Sequence, residues 1–196
     1  MKRLNGIASL VFVITVVSGG VAGAVTLNVV GGQLVGASGV DVGGTLYDVE
    51  FSYGTCVEVF SGCSESSLVF STSNDALEGA QALLDQVFLD VVEGQFDADP
   101  SLTRGCESAT DNCVLIVPWE RSYPESYHDL LVVTARNGDP SISDQVASTL
   151  PAAALVSMYS NTDSGTFARF SAVPEPSTAL LLGIGLSALA VRREKQ

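Results

Sequence analysis

Four cysteines, one histidine, a run of acids and a proline-framed segment near the C-terminus carry most of the chemical potential of this 196-residue chain. Cys56 with Cys63 and Cys106 with Cys113 form two pairs of equal spacing. Structural zinc sites usually place paired thiolates two to four residues apart, so these read as disulfides rather than metal ligands. Three pairings are open. The two local ones are favoured, because turn formers lie inside each loop, Ser61-Gly62 in one and Asp111-Asn112 in the other. His128, within Ser126-Tyr127-His128-Asp129, is the single histidine and the only residue that could serve as the imidazole base of a serine hydrolase. No Gly-x-Ser-x-Gly elbow accompanies it, and a turn histidine is the expected reading. Paired carboxylates for glycoside hydrolysis are decided by a separation in space that sequence does not give. Asp90 and Glu93 read as the last turns of a helix, where the macrodipole is negative, and Asp97 and Asp99 follow. That conflict would be relieved by a hard cation such as calcium on Glu93, Asp97 and Asp99, with Asp111 as a further oxygen ligand. The EF-hand spacing is absent, and a solvated acidic loop is the preferred reading; no metal set is assigned outright.

The two ends of the chain carry addresses. Met1-Lys2-Arg3 is basic, Leu4 to Val17 is largely apolar, and Ala22-Gly23-Ala24 is the small-x-small pattern that a signal peptidase accepts, so residues 1–24 read as a signal peptide cleaved after Ala24. At the other end Val173-Pro174-Glu175-Pro176-Ser177 precedes an apolar segment, 177–191, and a basic end, 192–195, containing Arg192 and Arg193. Fifteen helical residues reach about 22 Å, short of the ~30 Å hydrocarbon core, which suits a marginal, transient membrane span. Basic residues then stop on the cytoplasmic side. The two prolines lack backbone donors and push their predecessors toward extended backbone, leaving a segment that a processing enzyme can grip.

The order and spacing of these three elements resemble the PEP-CTERM sorting signal of exported bacterial proteins. The resemblance covers residues 173–196. It implies recognition by an exosortase, removal of the tail, and delivery to the cell surface or the extracellular polysaccharide matrix. The stretch from Gly31 to Phe51, with Cys56, Cys63, Cys106 and Cys113, is also similar to the opening of a group of PEP-CTERM proteins of uncharacterised function. That likeness implies no catalytic residue.

Five of the nine basic residues, every lysine among them, belong to the two addresses. Residues 25–173 keep Arg104, Arg121, Arg136 and Arg169, contain no lysine, and hold twenty acidic residues, a net charge of −16. Nucleic acid is excluded as a default partner, since its binding rests on lysine and arginine contacts to phosphate. Solubility and self-repulsion in a crowded matrix account for such a charge, and cations, neutral polymers or basic surfaces are the partners it leaves.

The elements that must position these residues read as an extracytoplasmic α+β domain over 25–172, a mainly antiparallel sheet with one principal helix. Val25 to Tyr53 is rich in glycine and β-branched residues, with a tight hairpin at Gly43-Gly44. In the returning strand Tyr47, Val49, Phe51 and Tyr53 alternate with Asp48, Glu50 and Ser52, so the first set should face the core. Leu68 to Phe70 reads as a short strand. The principal helix is predicted over about 75–93, capped by Ser73-Asn74, buried through Leu77, Ala80, Leu84, Val87, Phe88 and Val91, and ended by Gly94. Strands are predicted over Val114 to Val117, ended by Pro118, and over Leu130 to Ala135, ended by Asn137-Gly138. A short helix over Ser143 to Thr149 and strands over Ala154 to Tyr159 and Phe167 to Ala172 complete the pattern. Trp119 reads as a core or rim residue. The expected function is a non-enzymatic structural or interaction module of the cell surface or biofilm matrix, with matrix polysaccharide as a partner. A secreted hydrolase and a calcium-dependent binding module are the alternatives.

Overall fold

The computed structural model describes residues 24–121, 130–148 and 164–174, and Gly23–Pro174 form one compact unit. The strands are β1 (Thr26–Val30), β2 (Gln33–Val42), β3 (Thr45–Thr55), β4 (Asp90–Val91), β5 (Gly94–Gln95), β6 (Asn112–Arg121), β7 (Leu130–Gly138), β8 (Gln145–Ser148) and β9 (Ser164–Ala172). Among the described residues two α-helices accompany them, α1 (Cys56–Val59) and α2 (Ser73–Gln86). The fold is therefore mostly β sheet with one main helix, as the sequence suggests. Seven strands form one sheet in the order β1-β2-β3-β9-β6-β7-β8, while β4 and β5 pair separately. All neighbours in the large sheet are antiparallel except β6 and β9, which meet in parallel at Ile116 and Phe167.

The N-terminal meander follows from its glycines. Gly43 and Gly44 have φ of 60° and 89°, Gly31 and Gly32 have 61° and 84°, and two successive positive values are what a twist-matched two-residue hairpin needs. The turns bring Val42 opposite Thr45 and Val30 opposite Gln33. In β3 the alternation holds through Val49 and Phe51, which are buried between exposed Asp48 and Glu50. It fails at Tyr53, which is 65 % exposed although the loop at Gly105 lies close to its base, where a Cβ on that glycine would come within 3.2 Å of Tyr53 Cβ.

Both faces of the sheet are covered in part. Leu115 and Val117 of β6, Val133 and Ala135 of β7, and Ala168 and Phe170 of β9 share one core with Ala76, Ala80 and Leu83 of α2. The intervening Ile116, Val132 and Phe167 join Cys56, Phe60 and Cys63 in a second. Neighbouring strand residues point to opposite faces, so α2 packs on one side and the α1 region on the other. Phe60 meets Phe167 edge to face at 5.5 Å.

Several elements differ from expectation. The main helix begins one residue after Thr72, whose hydroxyl accepts from Asp75 N–H at 3.2 Å, so Thr72 and not Ser73-Asn74 is the cap. It ends at Gln86 instead of Glu93. Val87 and Phe88 both turn their N–H groups to the Leu83 carbonyl at 3.0 Å. The Phe88 ring, 1 % exposed, leaves the helical path to stack on Phe51 at 5.8 Å. Beyond it Asp90 Oδ1 accepts from the N–H groups of Asp97 and Ala98, each at 3.1 Å, a side-chain-to-backbone pairing that competes with helix. Val91 is exposed on β4, and Gly94 lies in β5 and does not cap the helix.

Leu68 to Phe70 is not a strand. It follows a 3-10 turn, Glu65–Ser67, and carries the chain between the two cores, with Leu68 against one and Phe70 in the other. The strand expected to stop at Pro118 runs on to Arg121, because the ladder shifts register between Pro118 and Glu120. Such a bulge accommodates a residue without a donor. Asn137 and Gly138 belong to β7, where Asn137 is fully buried and its side-chain N–H finds a partner. The helix predicted over 143–149 is replaced by β8, whose Val146 packs against the main core. The chain reaches it through a turn in which Asp144 Oδ1 accepts from Gly138 N–H at 2.8 Å. The last strand is longer than predicted and pairs with β3 over nine positions, from Tyr47 with Ala172 to Thr55 with Ser164. The strand expected over 154–159 lies outside the described residues.

Candidate functional site

The sorting segment leaves the domain without a spacer. β9 ends at Ala172, Val173 donates its N–H to the Leu46 carbonyl at 2.9 Å, and Pro174 is exposed. Glu175, Pro176, Arg192 and Arg193 lie outside the described residues, as do Ala22, His128 and the apolar stretch 177–191. Among the described residues no helix is long and apolar enough to cross a membrane. At the N-terminal side Ala24 is exposed and Val25 separates it from β1.

The cysteines pair locally, Cys56 with Cys63 and Cys106 with Cys113, with Cα separations of 5.3 and 5.6 Å. The first closes around α1, which starts in a capping box. Thr55 Oγ1 accepts from Glu58 N–H at 3.4 Å, and Glu58 Oε2 accepts from Thr55 N–H at 2.8 Å. The Thr55 hydroxyl also donates to Glu58 Oε2 at 2.9 Å, and the Thr55 backbone N–H first and this hydroxyl second hold the Glu58 carboxyl below its usual range. The chain then turns through Ser61, Gly62 and Cys63, all with positive φ.

The proposed cation ligands are not brought into one set. Glu93 is exposed at the β4–β5 turn. Asp99 Oδ1 accepts from Ser101 N–H at 3.1 Å and caps the 3-10 turn Pro100–Leu102. Asp97 instead lines an open cleft of about 360 Å³ with Asp90, Asp139 and Asp144. Burial raises its carboxyl above the usual value, and the negative charges of Asp144 and Asp90 add to the effect. Asp139 goes the other way, lowered by the hydroxyl and N–H of Ser141. Among the described residues no three His, Cys, Asp or Glu side chains form a group that could hold a metal ion. With α2 ending at Gln86, Asp90 and Glu93 are not in its last turn, and the dipole conflict that suggested a cation does not arise.

A second cleft lies away from the residues expected to carry chemistry. It is open, about 440 Å³, and lined by Phe51, Ser52, Tyr53, Arg104, Gly105 and Glu107. Gly105, at φ 82°, lets the chain lie against the sheet, where a Cβ would come within 2.6 Å of Thr166 Oγ1. That hydroxyl donates to the Gly105 carbonyl at 2.9 Å. Glu107 Oε1 accepts from Gly105 N–H at 3.0 Å and from Gln33 Nε2 at 3.1 Å. The Gly105 N–H is the largest influence holding the Glu107 carboxyl below its usual range, followed by its own N–H, Gln33 and the Arg104 charge, with burial opposing. The sequence signal was weak: a tyrosine on a core-facing strand position, with Arg104 and Glu107 some fifty residues away in an irregular loop. Trp119, by contrast, is partly buried against the main core, as expected.

The family model described as the PEP-CTERM protein-sorting motif matches residues 172–194. No curated protein and no solved structure matches the chain.

Proposed function

Because the chain carries the PEP-CTERM protein-sorting motif at residues 172–194, we propose that it is exported, processed at its C-terminus by an exosortase-type system, and delivered to the cell surface or extracellular matrix. The observation that carries this reading is the motif match itself. The fold is compatible with processing at both ends. Removal of residues 1–24 leaves β1 whole, and removal of the tail beyond the Pro174 region leaves β9 whole, since β1 starts at Thr26 and β9 ends at Ala172.

The mature domain, in the same reading, is a non-enzymatic structural or interaction module. Its supports are the lysine-free net charge of −16 across residues 25–173, which suits an unaggregated polyanion outside the cell, and a disulfide in each of two loops, which suits an oxidising compartment. Its partners are signal peptidase and exosortase in transit, the inner membrane while the tail is attached, and matrix polysaccharide at the destination.

The test is mass spectrometry of both termini after cell fractionation. The expected protein is extracellular or surface-bound, starts at Val25 and lacks Arg192 and Arg193. Replacing both Pro174 and Pro176 with alanine should leave the tail attached and the chain in the membrane fraction. Recovery of an extracellular protein that still ends at Gln196 would overturn the proposal.

A further inference from the structure

We propose that the cleft between the end of β3 and the loop at Arg104–Glu107 binds a neutral saccharide unit, a proposal that rests on reading the mature domain as an interaction module. Three groups of complementary chemistry meet there. Tyr53 presents a ring that is 65 % exposed, and a sugar offers such a ring its flat C–H face. Glu107 turns Oε1 to Gly105 and Gln33, and no other side chain among the described residues is hydrogen-bonded to its Oε2. It is an acceptor for a hydroxyl. Arg104 lies close enough for its charge to act on Glu107, and its guanidinium has no hydrogen-bond partner among the described residues either. It is a donor set. Adjacent hydroxyls on a pyranose both donate and accept, which is the demand that a carboxylate beside a guanidinium meets.

The cleft is fixed before any ligand arrives. Arg104 N–H bonds to the Leu34 carbonyl at 3.0 Å, Thr166 holds Gly105, Gln33 holds Glu107, and the Cys106–Cys113 disulfide closes the loop between them. Preformed walls reduce the ordering cost of binding. Charge selects among sugars: Glu107 in the wall and the net −16 carried by residues 25–173 as a whole repel uronic acids and favour a neutral polymer.

The exported protein, isotope-labelled during growth, should be titrated with cellohexaose, maltohexaose and mannohexaose, with hexagalacturonate as the acidic control. The expected result is saturable NMR shifts at the amides of Ser52, Tyr53, Arg104, Gly105 and Glu107 with at least one neutral sugar. Tyr53→Ala and, independently, Arg104→Ala should weaken binding about tenfold; both side chains are exposed, and unchanged amide positions in β6 and β7 report an intact fold. No saturable shift at these amides with any of the three, or shifts with hexagalacturonate alone, would overturn the assignment. Saturable shifts confined to other amides would remove the cleft but leave the interaction reading standing, whereas release of reducing ends during incubation would remove that reading itself.

Discussion

Asn137 Nδ2 donates to the Phe96 carbonyl at 2.7 Å, from a side chain with no solvent exposure. The bond fastens the end of β7 to the segment that follows β5, joining two parts of the chain forty-one residues apart. Replacing Asn137 with alanine should cost about 1–3 kcal/mol, the penalty for a buried carbonyl left without its donor. Asn137→Asp should cost more, since it removes the donor and buries a charge. Urea unfolding of the two variants against the parent measures both.

Phe88 lies two residues beyond the end of the main helix, and its removal should be felt globally. The ring is 1 % exposed and stacked within 13° of the Phe51 plane. Phe88→Ala is expected to destabilise the domain by roughly 3–5 kcal/mol through lost burial and a residual cavity, and Phe88→Leu by clearly less. A calorimetric series gives the order.

Asp97 makes a prediction with a definite sign. Its carboxyl is raised by burial and by the neighbouring charges of Asp144 and Asp90, so the folded chain holds that proton more tightly than the unfolded chain does. The associated stabilisation is complete below the ordinary aspartate value and is lost as pH climbs through the raised one. Asp97→Asn should therefore raise the melting temperature at pH 7 by about 1–2 °C, a modest figure because the group is largely solvated. The gain should vanish near pH 3. A gain of the same size at both pH values would contradict the electrostatic origin.

Reduction should act through both cysteine loops. Each disulfide spans a separation of seven residues, for which chain entropy gives about 2–3 kcal/mol per bridge. Peptide mapping without reduction is expected to find only Cys56 with Cys63 and Cys106 with Cys113. The double variant Cys56→Ser, Cys63→Ser should loosen Phe60 and Phe167 first, because those cysteines sit within the same core.

Features written in neighbouring residues were legible in the sequence. The Gly43-Gly44 hairpin, the alternation from Tyr47 to Phe51, the local cysteine pairing and the last strand each follow from spacing or turn chemistry over a few positions. The end of the helix was hidden, because Val87 and Phe88 are apolar whether they continue a helical stripe or drop into the core, and the choice is made by Phe51, thirty-odd residues earlier. Strand partners were hidden for the same reason: nothing local in Phe167 to Ala172 says that it enters between β3 and β6. The acidic residues misled through the helix. Once α2 stops at Gln86, Asp90 serves backbone donors and Asp99 caps its own turn, so each meets a local need. The cleft at Tyr53 depends on Gly105 crossing the sheet, a contact between distant segments that no periodicity announces.

The position of β9 has a mechanical consequence. Nine pairs bind it to β3 on one side, β6 flanks it on the other, and the C-terminal segment continues from its last residue. Tension on a tethered tail would run along the middle strand of the sheet. Ladder hydrogen bonds lie across that direction, so they would be loaded together in shear and not opened one at a time from an edge. Such a load would fall on an interior strand of the sheet, with the nine-pair ladder to β3 taking most of it.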